Sequence, residues 1–232
     1  TFLLGFFGDV VERREYRKGF LMPFSFLLLS TLLAILTPSD WQSLSFERVP
    51  ANEVSFQDGS LEIKVTESAS PLVNVFSRRQ AIRAILVKGS VSGQWQLPTM
   101  ESWDKSPDDA LLRIGLIENG TRRLNALERM AAPSWIKEIE MQSQGISDGI
   151  GKIHCFHLMP DEKWIGETRE NPNSAIFLET ALTAPSEDGR FEMVIELDVP
   201  VDTVGLWLLA DGDDSQAAFS LEVESLEVEV AP

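Results

Sequence analysis

The sequence predicts a mainly β protein: a two-sheet antiparallel sandwich of jelly-roll type with a short helical insertion, preceded by an N-terminal apolar helix. Three observations carry that expectation. The C-terminal run from Phe191 to Val230 holds three strand-like segments, FEMVIELDV, VGLWLLA and FSLEVESLEVEV, separated by acidic, turn-forming residues. In the last of them Leu221, Val223, Leu226, Val228 and Val230 interleave with Glu222, Glu224, Glu227 and Glu229, with a phase slip at Ser225. Such alternation places apolar side chains on one face of a strand and carboxylates on the other. VGLWLLA is apolar without a break, as a strand covered on both faces requires. Upstream, strand-like runs recur every eight to fifteen residues or so without alternating helices, which argues against a parallel βαβ sheet.

Taken in order, residues 1–39 differ in composition from the rest, and residues 40–232 read as one domain. Arg13, Arg14, Arg17 and Lys18 precede an uncharged apolar run from Phe20 to Thr37. A basic flank followed by such a run is the pattern of a secretory signal or a signal-anchor helix, which implies an extracytoplasmic (periplasmic) location. Membrane attachment would run through residues 20–37 if they are retained, and Met22 is an alternative start. Trp41–Phe46 begins the strand pattern. VSFQDGSLEIKV follows, with Asp58-Gly59 as a hairpin turn. PLVNVF and AIRAILVKGSVSGQWQL read as two further strands, with Gly89 and Gly93 marking a bulge or bend. TMESWDKSPDDA is loop, and ALLRIGLIENG is a buried strand ending in an Asn-Gly turn.

Residues 122–142 are the one helical region. Leu124, Leu127 and Met130 define the apolar side of a first short helix. Pro133 opens a second, with Ile136, Ile139 and Met141 turned inward. KIHCFHLM and AIFLETALTA are strands on either side of the polar loop DEKWIGETRENPNS.

Composition narrows the function. The chain of 232 residues carries a formal net charge of −16, which argues against a nucleic-acid partner, because phosphate contacts need clustered Lys and Arg. The single Cys155 excludes an intrachain disulfide. No catalytic residue is assigned. Glu196 and Asp198 share a strand face, but Val201 stands where a Glu-x-Asp-x-x-Glu glycosidase strand would carry its second Glu. His154 and His157 are three apart on a strand and point to opposite faces, so they read as structural.

Two groups of ligand-binding candidates remain. Trp103 and Trp164 lie in polar loop sequence, where an indole could stack on a sugar ring. Asp211, Asp213 and Asp214 crowd one turn and could bind calcium, which takes six to eight oxygens. The preferred expectation there is a solvated acidic turn without cofactor.

Several segments resemble a bacterial family of exported domains of unknown function. They are Trp41-x-x-Leu44-x-Phe46, Glu67-Ser68-Ala69-Ser70, GKIHCFHL with WIGET and NP, and VGLWLLADGDDSQAAF. The strand after Ser70, where that family has Trp-Arg-Trp, reads AIRAILVKG. The resemblance implies an exported β domain and no particular activity. The expected function is a non-catalytic binding module for carbohydrate or cell-surface glycan. The alternative is a protein-interaction subunit of a bacterial envelope assembly, with a glycan-active hydrolase third.

Overall fold

The computed structural model describes residues 31–34, 36–95, 109–121, 123–172 and 174–232. In chain order, four strands come first: β1 (Thr31–Ala34), β2 (Gln42–Ser43), β3 (Glu53–Gln57) and β4 (Ser60–Thr66). Next come β5 (Leu72–Gln94), β6 (Leu112–Asn119) and two helices, α1 (Ala126–Ala131) and α2 (Ser134–Gln142). The remaining strands are β7 (Ile150–Leu158), β8 (Thr168–Glu170), β9 (Phe177–Thr183), β10 (Arg190–Leu209) and β11 (Ala218–Val230).

These strands form one hydrogen-bonded sheet in the order β3-β4-β11-β5-β10-β6-β7-β9-β8, with β1 added to β11 and β2 to β5. The expectation of two separate sheets is corrected by β5 and β10, each of which runs through both halves. The sequence suggested a break in each, at Ser77–Gln80 and at Pro200–Thr203. Instead the two polar stretches lie side by side where the sheet creases. The β5–β10 register shifts between Glu196 and Val201 and again between Thr203 and Gly205, and Arg79 donates to Asp202 across the crease at 3.1 Å. Bulges bend a strand without ending it, so polar residues there mark a fold line and not a turn. All pairs but one are antiparallel; β7 and β9 run parallel, which the strictly antiparallel expectation missed. The crossover between them contains the short strand β8, hidden in a segment that read as loop.

The two halves of the sheet face each other across one core. Leu61, Ile63 and Val65 of β4, Leu221, Val223, Leu226 and Val228 of β11, and Met193 and Ile195 of β10 line it from one side. Ile114 and Leu116 of β6, Phe156 and Leu158 of β7, and Leu206 and Leu208 of β10 line it from the other. The phase slip at Ser225 is a bulge: the β11–β5 register shifts between Val223 and Ser225, so Leu226 and Val228 return to the core face. Gly89 sits opposite, and its missing side chain makes the close approach workable. A Cβ there would stand 1.9 Å from the carbonyl oxygen of Glu222. The Asp58-Gly59 turn has φ of 51° and 86°, as the tight hairpin between β3 and β4 requires.

A second core covers the opposite face of the β6–β7 half. Trp135 and Ile139 of α2, with Leu44 of the segment after β2, pack onto Ile117, Ile153, Cys155, Val204, Trp207 and Leu209. Gln42 donates to Glu138 at 3.3 Å, and Gln142 donates to Glu138 at 3.0 Å, which ties β2 to α2.

The apolar run Phe20–Thr37 is corrected at its end. Thr31–Ala34 is a strand antiparallel to Val230–Glu227 of β11, continuing the edge that β4 covers further along. An uncovered strand edge recruits pairing, and these residues supply it. Residues 20–30 and 35 of that run lie outside the described residues. No helix among the described residues is long and apolar enough to cross a membrane.

Candidate functional site

Charge is buried in two adjoining places, both on the face of the β6–β7 half that carries the second core. The first is built on Glu179 in the middle of β9. Alternation along β9 turns Glu179 into the protein, where it is 1 % exposed. Arg169, its cross-strand partner on β8, donates Nε to Oε2 at 2.8 Å. Asn171 donates Nδ2 to Oε1 at 2.9 Å, and His157 Nε2 lies 3.8 Å from the same oxygen. Neither Glu179 nor Arg169 was a candidate from the sequence. The available signal was a carboxylate in the otherwise apolar strand FLETALT.

The second is built on the turn between β10 and β11. Asp211 is 4 % exposed and accepts from Arg113 of β6 at 2.8 Å. This corrects the expectation of a solvated turn: at Asp211 the acidic run is buried and already faces a cation. Asp213 is half-buried and Asp214 is exposed. In place of Asp214, the structure brings in Asp109, from just before β6. Oxygens of Asp109, Asp211 and Asp213 all lie within 4.8 Å of one another. Asp109 was invisible to sequence reasoning because more than a hundred residues separate it from the turn. The backbone N–H of Ser215 donates to Asp109 Oδ2 at 2.7 Å and locks the two segments together.

Of the tryptophans, Trp103 lies outside the described residues. Trp164 sits in a single 3₁₀ turn, half-buried, packed on Met159 and Ala181. The Lys163 ammonium stands over its ring, 4.4 Å from the centroid, on a surface that a stacking sugar would need. Trp135 and Trp207 are core, their centroids 4.9 Å apart, with Phe177 and Phe46 completing the cluster. Glu196 and Asp198 are both exposed on the same strand face, opposite the core. His154 lies 3.1 Å from Glu118, on the opposite face of β7 from His157.

Cys155 is buried between these groups. Burial pushes its thiol well above the ordinary value, the Glu179 carboxylate adds to the rise, and Arg113 opposes it. A thiol that is neutral and out of contact with water is a poor nucleophile. Cys155 is therefore expected to resist labelling by Ellman's reagent in the native protein and to react at once in denaturant. Rapid native labelling would contradict the packing.

At the surface, α1 departs from expectation. Leu127 and Met130 were read as its inward side, but they are 78 % and 81 % exposed. The helix is held from its polar side. Asn125 and Glu128 form a reciprocal capping box, Glu140 accepts from Leu124 N at 2.7 Å, and Arg129 pairs with Glu140. Glu140 is itself buried, so it anchors α1 while the apolar pair faces water.

No protein-family model and no curated protein matches the chain. Solved structures similar to it include a low-affinity xylan-binding module of family 86 from Roseburia intestinalis, at 8 % identity and a TM-score of 0.36, covering 88 % of this chain and 96 % of that one. Another is a variant of a family 29 carbohydrate-binding module complexed with mannohexaose, at 8 % identity and a TM-score of 0.38, covering 87 % and 93 %. A third is the family 11 carbohydrate-binding module of a cellulosomal cellulase of Clostridium thermocellum, at 8 % identity and a TM-score of 0.41, covering 88 % and 96 %. At this identity and overlap, the ligand of this chain has to be read from its own residues.

Proposed function

We propose that the chain is a non-catalytic binding module acting outside the cytoplasm, and that it engages a protein of the bacterial envelope through α1. The observation that supports this reading is the exposure of Leu127 and Met130, one helical turn apart, on a helix anchored through its polar side. Exposed apolar side chains are ordinary when scattered. Here two sit together on an ordered scaffold, with Met141 at the end of α2 also more than half exposed. Methionine and large apolar side chains are favoured at the centres of protein interfaces. The buried charges of Glu179, Arg169 and Asp211 are held out of reach of a substrate, which argues for binding over turnover.

Export rests on the basic flank and apolar run before the sheet. Thr31–Ala34 of that run pairs with β11, so those four residues are engaged in the sheet.

Glycan binding is the second reading, favoured by the half-exposed indole of Trp164 in a polar loop segment. One experiment separates the two. A photo-crosslinking residue at position 127 of the full chain, in envelope preparations, is expected to trap a discrete protein. The same residue at position 222, on the polar face of β11, is expected to trap none. Leu127→Ser with Met130→Ser should abolish capture and leave the melting temperature unchanged, since exposed substitutions cost within about 0.5 kcal/mol. Retardation in gels containing xylan, lost in Trp164→Ala, would move the assignment to glycan.

A further inference from the structure

We infer that Asp109, Asp211 and Asp213 form a binding site for a hard divalent cation, calcium in the first place. The three come from two distant segments: Asp109 from just before β6, the others from the turn between β10 and β11. Their oxygens lie within 4.8 Å of one another. That spacing fits one ion, because oxygens bound to the same calcium at about 2.4 Å can be no further than about 4.8 Å apart.

The proximity alone would be unremarkable on an exposed acidic turn. Two further observations point to a ligand. Asp109 is 1 % exposed, and while Oδ2 accepts from Ser215 N, Oδ1 is buried with no hydrogen-bond partner. The hydroxyl oxygen of Ser215, on the same strap of backbone, is buried and equally without a partner. A buried carboxylate oxygen left unmatched is costly, and buried charges are normally paired or coordinate a metal. Among the described residues, Arg113 meets the cluster at Asp211 Oδ2, 2.8 Å away, and leaves Asp109 Oδ1 unmatched. The donor set is oxygen only, with no imidazole or thiolate, so it suits calcium or magnesium over zinc or copper. A half-buried Asp213 leaves room for water to complete the six to eight ligands of calcium, whereas magnesium demands a stricter octahedron.

The ion would bridge the start of β6 and the β10–β11 turn in the folded chain and have no such site in the unfolded one. Binding then raises stability by mass action. The experiment uses the full chain stripped with a chelator and titrated with calcium chloride by calorimetry and thermal melting. One bound calcium per chain is expected, with the melting temperature rising by about 5–10 °C at a hundredfold excess over Kd. Asp213→Asn, which disturbs no other contact, should weaken binding by about tenfold or more. Asp109→Asn should do the same if it folds. Asp214→Asn, outside the cluster, should leave Kd unchanged. No heat of binding up to millimolar calcium overturns the site, as does an Asp213→Asn variant that binds like the parent. Tighter binding of magnesium than of calcium overturns the choice of ion.

Discussion

Glu179→Ala is expected to be among the most destabilising single substitutions in the chain, by about 3–5 kcal/mol. The carboxylate is buried, accepts from Arg169 and Asn171 at 2.8 and 2.9 Å, and faces His157. Its removal takes from the buried Arg169 guanidinium the carboxylate that pairs with its Nε, and the desolvation of that charge is then less well compensated. At a loss of about 2–4 °C per kcal/mol for a domain of this size, the melting temperature should fall by about 6–20 °C. Glu170→Ala, next to Arg169 on β8, is the control. Glu170 pairs with Lys152 at 2.7 Å, but both side chains are substantially solvent-exposed, and such pairs contribute about 0–1 kcal/mol. If Glu179→Ala costs no more than Glu170→Ala, the buried network does not hold the β8–β9 pair in place. Replacing Glu179 and Arg169 together by leucines should recover much of the loss, because two apolar groups leave no orphan charge.

Strands were legible where one face of the sheet decides the fate of every second residue. In β11 the alternation of Leu221, Val223, Leu226 and Val228 with glutamates reproduces the burial pattern, and its phase slip at Ser225 coincides with a bulge. VGLWLLA is buried along its length, because its two faces serve the two different cores. Pro133 does divide two short helices. What misled was polarity without a break in the backbone. Ser77–Gln80 and Pro200–Thr203 look like turns because they interrupt the apolar pattern, yet the backbone continues as strand through both and only the register shifts there.

The candidate site was less legible, since its parts are set by long-range register. Asp109 belongs with Asp211 only once β6 lies beside β10. Trp164 and the acidic turn could be placed between strands, but their burial and partners could not be read: Lys163 over the indole, Arg113 against a buried Asp211. Leu127 and Met130 were assigned inward because helical spacing names an apolar face, and nothing local says whether a neighbour covers it.

Trp207→Ala should cost about 3–5 kcal/mol, and Trp207→Phe should recover most of that loss. The indole of Trp207 is fully buried at the centre of the second core, with Trp135 at 4.9 Å and Phe177 at 5.6 Å between ring centroids. Space for it is made by Gly115 on the neighbouring strand, where an added Cβ would come within 3.0 Å of the Trp207 Cβ. Truncation to alanine opens a cavity under α2 that the rigid sheet cannot close, so the helix loses the surface on which Trp135 rests. Phenylalanine keeps an aromatic ring in that place. It also removes the indole N–H, which is buried without a hydrogen-bond acceptor among the described residues, so no satisfied polar contact there is lost with it. Unfolding in urea compares the two variants directly. Equal losses for phenylalanine and alanine would show that a smaller ring does not fill this site, and that the fit of the whole indole carries the stability of the second core.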